Sequence, residues 1–377
     1  MTRAMTTLEG LLEGRRILFC VGSGGVGKTT TAAALAVGAA RRGRRTAVLT
    51  VDPAPRLKDA LGLGTLDARP RRVPLGAGIH LDAVLLDVRR TFDEVVRGLA
   101  ATPEQARAVL ENRLYQNLSG TLAGTAEYTA VETVFRLAQD GGYDLLVVDT
   151  PPARHVVDFL DAPRRLLALL DSRAFAILKD PTVILPGAGS RVAHYVLSAV
   201  LRGLERFTGL ELVREVGDFV RAIEGLTGAL RARVAAADAL LHAADTALVL
   251  VTAPEPRLVE ENARLAQALA GLRLPVGGII VNRMLPRALL APAGPLPDGL
   301  AAPLMVRLRR AHGELAALAA RQEAVLAPLV ARAGAPVVAE VPLLAGDLGG
   351  LDDVTTIARH LFPPAATGSP SVGRLGG

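Results

Sequence analysis

The chain has 377 residues, half of them hydrophobic, enough to bury a sizeable core in one large domain or in two or three smaller ones. Its formal charge of +6 would fit a nucleic-acid partner, but lysine occurs only at Lys28, Lys58 and Lys179 and the arginines are spread along the chain, so no nucleic acid is expected. A single cysteine, Cys20, excludes an intrachain disulfide framework and any Cys-x-x-Cys zinc site, and the six histidines show no ligand spacing.

Met1 to Arg16 carries Glu9 and Glu13 and no apolar core, so no secretory leader is expected there. No uncharged apolar run reaches the roughly 18–20 residues of a membrane span. A reduced, cytoplasmic protein fits, with peripheral contact to a membrane left open. The first strand, Arg16 to Val21, leads into Gly22-Ser23-Gly24-Gly25-Val26-Gly27-Lys28-Thr29-Thr30 and an alanine-rich helix from Lys28 to about Arg42, with Gly43 as its cap. Gly22, Gly27, Lys28 and Thr29 satisfy G-x-x-x-x-G-K-[ST]. Glycines let successive N–H groups curl round a phosphate, and the helix N-terminus adds partial positive charge. Lys28 is placed to reach β- and γ-phosphates and the Thr29 hydroxyl to bind Mg²⁺.

A second strand, Thr46 to Val51, ends in Asp52-Pro53-Ala54. A turn-rich stretch from Gly62 to Gly78 precedes a third strand, Ile79 to Leu86. Val88, Phe92, Val95, Val96 and Leu99 recur at helix spacing, and Thr102-Pro103-Glu104 marks another helix start, as an N-cap followed by proline. Gly120 to Gly124 breaks the pattern before a helix at Glu127–Gln139 and a strand at Tyr143–Asp149. From about Asp158 to Ala244 strands disappear. An apolar helix is expected near Val192–Phe207, after the breaker at Pro186–Gly189, and Val216, Phe219, Val220, Ile223, Leu226, Leu230 and Val234 make a helical stripe. Together with 88–122, the stretch 158–244 is expected to form a helical subdomain inserted in a single domain spanning 14–362.

Strand Ala247–Val251, helix Arg257–Leu272 and strand Val276–Val281 restore the alternation. A Pro/Ala-rich loop, Pro286–Pro303, then leads to a helix from about Leu304 to Leu326, strand Val337–Val341 and a closing helix, Leu351–Leu361. Residues 363–377 have the composition of disorder. The strand–helix alternation predicts an α/β fold with a mainly parallel sheet flanked by helices.

Phosphoryl transfer requires a phosphate cradle, a metal and a group that orients water, and in such sheets ligands sit beyond the C-terminal strand ends. Asp52 and Asp149 end two strands there. Asp149, after four apolar residues, suits Mg²⁺; Asp52 suits water orientation or a share in the metal.

Gly24-Gly25-Val26-Gly27-Lys28-Thr29-Thr30, Asp52-Pro53-Ala54, Asp149-Thr150-Pro151-Pro152 with His155, Val281-Asn282-Arg283 and Val341-Pro342-Leu343-Leu344 together resemble the ArsA family of P-loop ATPases, over nearly the whole chain. That family includes the arsenite-pump ATPase and the ATPase that targets tail-anchored membrane proteins. The resemblance implies ATP and Mg²⁺ as ligands, Asp52 in switch I, Asp149–Pro152 in switch II, Asn282 reading adenine, Pro342 in the base-side wall, and Glu127 as a loop acid. It implies paired nucleotide halves, hence a homodimer or a heterodimer with a paralogous ATPase, and a membrane-protein client or transporter.

Two departures bear on this. The family's signature lysine, which reaches across to the partner's phosphates, is replaced by Ser23. Either an arginine near the reaction centre substitutes, Arg154 or Arg56, or the partner is a non-identical, lysine-bearing chain, leaving this one a low-turnover regulatory subunit. With Cys20 alone, neither a thiolate metalloid site nor a zinc-linked dimer is expected, so coupling to arsenite would rest on the family name. Four methionines also fit poorly with a methionine-rich client groove. A DNA- or membrane-bound organiser like the ParA ATPases is a weaker reading.

Overall fold

The computed structural model describes residues 7–52, 56–112, 125–140, 142–172, 225–291, 294, 300–344 and 349–363. Among them are strands β1 (Ile17–Val21), β2 (Thr46–Thr50), β3 (Arg71–Pro74), β4 (His80–Leu85), β5 (Leu145–Asp149), β6 (Thr246–Thr252), β7 (Val276–Met284) and β8 (Val337–Pro342). They form one sheet in the order β3-β4-β2-β5-β1-β6-β7-β8. Every pairing is parallel except β3 with β4. β1, β2 and β5 are buried at all five positions, as strands covered on both faces must be, which is why they read as apolar runs without alternation.

Alternate residues of those strands feed two cores. On one face Ile17, Phe19 and Val148 meet α6 (Thr125–Asp140), α7 (Ala153–Leu170), α8 (Thr227–Leu241), α9 (Pro256–Gly271) and the C-terminal part of α10 (Ala302–Ala333). On the other, Leu18, Cys20 and Val147 meet α1 (Leu8–Leu12), α2 (Lys28–Arg41), α3 (Arg56–Ala60) and α11 (Leu351–Leu361). α11 packs closely on α2: a Cβ on Gly38 would lie 2.2 Å from the Phe362 ring. Each large apolar side chain fully buried in these layers contributes about 1.5–3 kcal/mol.

Two smaller apolar clusters stand apart. α4 (Val88–Leu99) and α5 (Pro103–Leu110) bury Val96 and Val109 with Leu226. Tyr128, Ala162 and Val234 form the other, joining α6, α7 and α8. A half-buried ion pair ties this joint: Arg233 Nε donates to the buried Glu132 Oε1 at 2.7 Å, and the Tyr128 hydroxyl donates to Glu132 Oε2 at 3.0 Å. Of the apolar stripe, Leu226, Leu230 and Val234 fall among the described residues; Val216, Phe219, Val220 and Ile223, the helix near Val192–Phe207, the Pro186–Gly189 breaker, the Gly120–Gly124 break and residues 364–377 lie outside them.

Some elements differ from the sequence expectation. The turn-rich stretch contains β3, an edge strand with one buried residue, Val73, and Pro74 at its end, too short and too polar to show an alternating pattern. α1 was not expected: Thr7 caps it by accepting from the Gly10 N–H, and Leu8, Leu11 and Leu12 are buried. Arg42, not Gly43, is the cap of α2; Gly43 takes the left-handed turn after it, at φ +84°. β7 runs on to Met284, so Asn282 lies inside a strand. α10 continues seven residues past Leu326 and includes Pro328. The α5 start is as expected, with Thr102 Oγ1 accepting from the Gln105 N–H at 3.2 Å.

Candidate active site

β1 delivers the glycine loop to the C-terminal edge of the sheet, and α2 begins at Lys28, capped by Gly27 in the left-handed region, at φ +89°. Two close approaches fix why glycine is needed. At Gly22, φ is +152° and a Cβ would lie 2.3 Å from the Val251 carbonyl oxygen of β6; at Gly27 it would lie 2.4 Å from Asn282 Nδ2. Gly24 and Gly25 are exposed, Val26 is buried under the loop, and Thr29 and Thr30 are half-buried on the first turn of α2.

Ser23 turns away from the mouth of the site. It is fully buried; its N–H and its hydroxyl both donate to Asn262 Oδ1, at 2.8 and 2.9 Å. Asn262, on the buried face of α9, donates from Nδ2 to the Val251 carbonyl at 3.3 Å. Lys28 Nζ closes the loop by donating to the Ser23 carbonyl at 3.0 Å. Burial lowers the Lys28 pKa, and the nearby Asp149 charge opposes that shift.

Asp149 ends β5 opposite Cys20 of β1 and Thr50 of β2. It is 1 % exposed. Burial pushes its pKa up to about 6; the hydroxyls of Thr29 and Thr50 and the charge of Lys28 pull downward, and Asp52 pushes up. The Thr50 hydroxyl donates to Oδ2 at 3.0 Å, whereas Oδ1 is buried with no hydrogen-bond partner among the described residues. Thr150 Oγ1 donates to the Cys20 carbonyl at 2.8 Å and locks the next residue to β1.

Asp52 lies two residues beyond β2, half-buried, with Oδ2 3.6 Å from Arg56 Nη1. Arg56 opens α3 and lines a cleft of about 390 Å³ with Gly25, Gly27, Lys28, Thr29 and Thr30. Arg283, Gly349, Gly350 and Asp353 also line that cleft. Arg154 and His155 are exposed on the first turn of α7, and neither lines the cleft. Glu127 is half-buried in the first turn of α6.

At the expected base side, Asn282 Nδ2 donates to the Val26 carbonyl at 2.9 Å, and Oδ1 accepts from the Arg283 N–H at 3.0 Å. Its carboxamide is thus engaged with the phosphate loop. Pro342, half-buried at the end of β8, sits opposite Met284 and outside the cleft lining. Arg283 has φ +61°, a strained conformation for a long side chain, and its Nη2 donates to the Gly25 carbonyl at 3.0 Å.

The sequence therefore brought Lys28, Thr29, Asp52 and Asp149 to one place. It did not reveal Thr50, Asn262 or the Gly349–Asp353 wall, and it named Arg283 in a motif without giving it a role. Asn262 carried a signal, an amide on the apolar stripe of a helix between Val259, Ala263 and Ala266; Thr50 and the wall carried none.

The orphaned Asp149 oxygen beside the Thr29 hydroxyl is a fit for a hard cation. Mg²⁺ is such a cation, bound through one or two carboxylates and a substrate's phosphates.

A mainly parallel sheet with a glycine loop and helix N-terminus at its C-terminal edge, and a buried acid on the adjoining strand, defines a P-loop nucleotide-binding protein of the α/β class. Residues 15–291 match the model of the anion-transporting ATPase family, and the chain belongs to that family, the ArsA ATPases. It is 26% identical over 285 residues to ATPase GET3 of Phaeosphaeria nodorum, covering 74% of this chain and 80% of that protein. It is 26% identical over 282 residues to ATPase get3 of Schizosaccharomyces japonicus, covering 74% and 78%. An uncharacterized protein of Streptomyces coelicolor is 32% identical over 277 residues, covering 72% of this chain and 63% of its own length.

Proposed function

We propose that this chain binds ATP with Mg²⁺ in the cleft and hydrolyses it, and that the nucleotide state is transmitted to a partner. The buried Asp149, with one unpartnered oxygen beside Lys28 and Thr29, carries the reading: a carboxylate oxygen left unpartnered at that depth is costly unless a ligand completes it. Thr29 and Asp149 would hold the cation, with Asp52 as a further acid; Mg²⁺ would neutralise charge on the β- and γ-phosphates. The loop N–H groups from Gly24 to Thr30 cradle the phosphates, Lys28 leaves the Ser23 carbonyl to meet them, and Asp52 orients the attacking water. The base lies toward Arg283 and the Gly349–Asp353 wall, with Asn282 and Pro342 behind it.

The partner is a second copy or a paralogue, and a membrane-bound client or transporter lies downstream. In support, Leu304, Leu308, Leu315 and Leu318 on the N-terminal part of α10 are each more than 40% exposed and share one face. No helix among the described residues is long and apolar enough to cross a membrane; the reading places the protein in the cytoplasm with peripheral membrane contact.

Phosphate release from ATP, with and without EDTA, alongside calorimetric binding, tests the proposal. Asp149→Asn should abolish turnover while nucleotide still binds; unchanged turnover, or no binding by the parent protein, would sink it. Ser23 favours a second reading. A buried, neutral residue that bonds inward offers no charge to a neighbouring active site, so the chain would be a low-turnover subunit serving a lysine-bearing paralogue. Turnover by the isolated protein excludes that reading.

A further inference from the structure

ATP brings about four negative charges into a cleft that already holds Asp52, Asp59, Asp149 and Asp353 in or beside its walls. Lys28 supplies one cation from the floor, and Ser23 supplies none. Two guanidinium groups reach the lining, Arg56 and Arg283. Arg283 is already engaged, 3.0 Å from the Gly25 carbonyl and 4.0 Å from Glu255. Arg56 stands near enough to Lys28 that its charge acts on the lysine, and its side chain is 67% exposed. Its contact with the half-buried Asp52, at 3.6 Å with the guanidinium exposed, is a weak ion pair that a phosphate outcompetes. Arg154, exposed on α7, does not line the cleft.

We propose that Arg56 is the second catalytic cation of this site, acting in cis: it passes from Asp52 to the γ-phosphate oxygens as the nucleotide enters, and stabilises the charge of phosphoryl transfer. The inference rests on the ATPase reading above. In the step it serves, a bond forms between the water oxygen and the γ-phosphorus while the bond to the β,γ-bridging oxygen breaks. The bonding pair stays with ADP; of the two water protons, one remains on the released phosphate and one goes to solvent. Breaking the ion pair couples the two events, since Asp52 gives up the Arg56 cation as the water must be oriented. A planar fork that binds two phosphate oxygens at once suits this role better than a point charge.

The test measures kcat, KM and nucleotide affinity for the full-length chain and for Arg56→Ala and Arg56→Lys. Loss of about 10²–10³-fold in kcat is expected for Arg56→Ala, with affinity changed by less than about tenfold, and the lysine variant should recover part of the loss. A purely structural role would instead lower the melting temperature of Arg56→Ala, which should stay at the parent value. Mixing Arg56→Ala with Lys28→Met separates cis from trans. No activity should return; recovery would mean that Arg56 serves a neighbouring chain's site and would overturn the assignment. Unchanged kcat in Arg56→Ala, with the parent active, overturns this inference alone. An inactive parent that still binds ATP, or one that binds none, overturns it together with the ATPase reading.

Discussion

The two ends of the cleft are built on opposite plans. At the phosphate end, Ser23, Lys28, Asp149, Thr50 and Asn262 are buried and bonded to one another or to backbone, and Gly22 and Gly27 leave no room for a side chain. At the other end, Arg283 and Gly349 are exposed, Gly350 and Asp353 are half-buried, and Arg283 holds the loop from outside in a left-handed conformation. The phosphate end is preorganised by tertiary contacts; the far end is the more exposed. Preorganised dipoles and charges are what phosphoryl transfer calls for, whereas recognition of the remainder of a nucleotide tolerates looser walls.

If this contrast is right, variants at the phosphate end cost far more than those at the far end. Lys28→Met should cost the most, about 10³-fold or more in kcat/KM by phosphate release, because a positioned charge in a dry site has no substitute. Gly22→Ala should destabilise by about 3 kcal/mol or more in denaturant unfolding, since its Cβ would overlap the Val251 carbonyl at 2.3 Å. Asn262→Ala should cost about 2–3 kcal/mol on the same assay, because it strands the buried Ser23 N–H and hydroxyl and the Val251 carbonyl.

Asp149 sharpens the comparison through pH. Its pKa is raised by burial from the ordinary 3.8 to about 6, so in that window the folded chain keeps a proton that the unfolded chain has lost. Stability from this group is present below about pH 4, declines as pH rises toward 6, and is flat above. Asp149→Asn should therefore lack that decline and be more stable than the parent above pH 6, as seen in the difference between their unfolding curves across pH. Mg²⁺-nucleotide should flatten the parent's slope as well. The smallest effect is expected at the far end: Arg283→Gly relieves the left-handed strain, should stabilise by up to about 1 kcal/mol, and should shift KM for ATP by less than about tenfold. A larger loss there than at Asn262 would break the contrast.

How much of this was readable in advance follows from distance along the chain. The glycine loop, Lys28 and Thr29 are local: strand, loop and helix are contiguous, and their spacing alone specifies the chemistry. Asp52 and Asp149 were readable because each ends a short apolar run, and strand ends converge in a parallel sheet. Asn262 meets Ser23 across 239 residues and Arg283 meets Gly25 across 258, and no periodicity encodes such pairs. The reach of α10 through Pro328 was hidden too, because a proline normally ends a pattern and only packing against α9 shows that the helix goes on.

By itself the sequence determined an α/β P-loop chain with a glycine loop and two acids at strand ends, because those features arise from contiguous residues and from the burial of apolar strands. Only the tertiary structure decided where the positive charge stands. It turned Ser23 inward onto Asn262, engaged Asn282 with the loop, left Arg154 on the surface and brought Arg56 to the cleft. The reason is that side-chain direction at a strand end depends on which distant carbonyls and amides need a partner, and that is settled only when β1, β6, β7 and α9 are packed together.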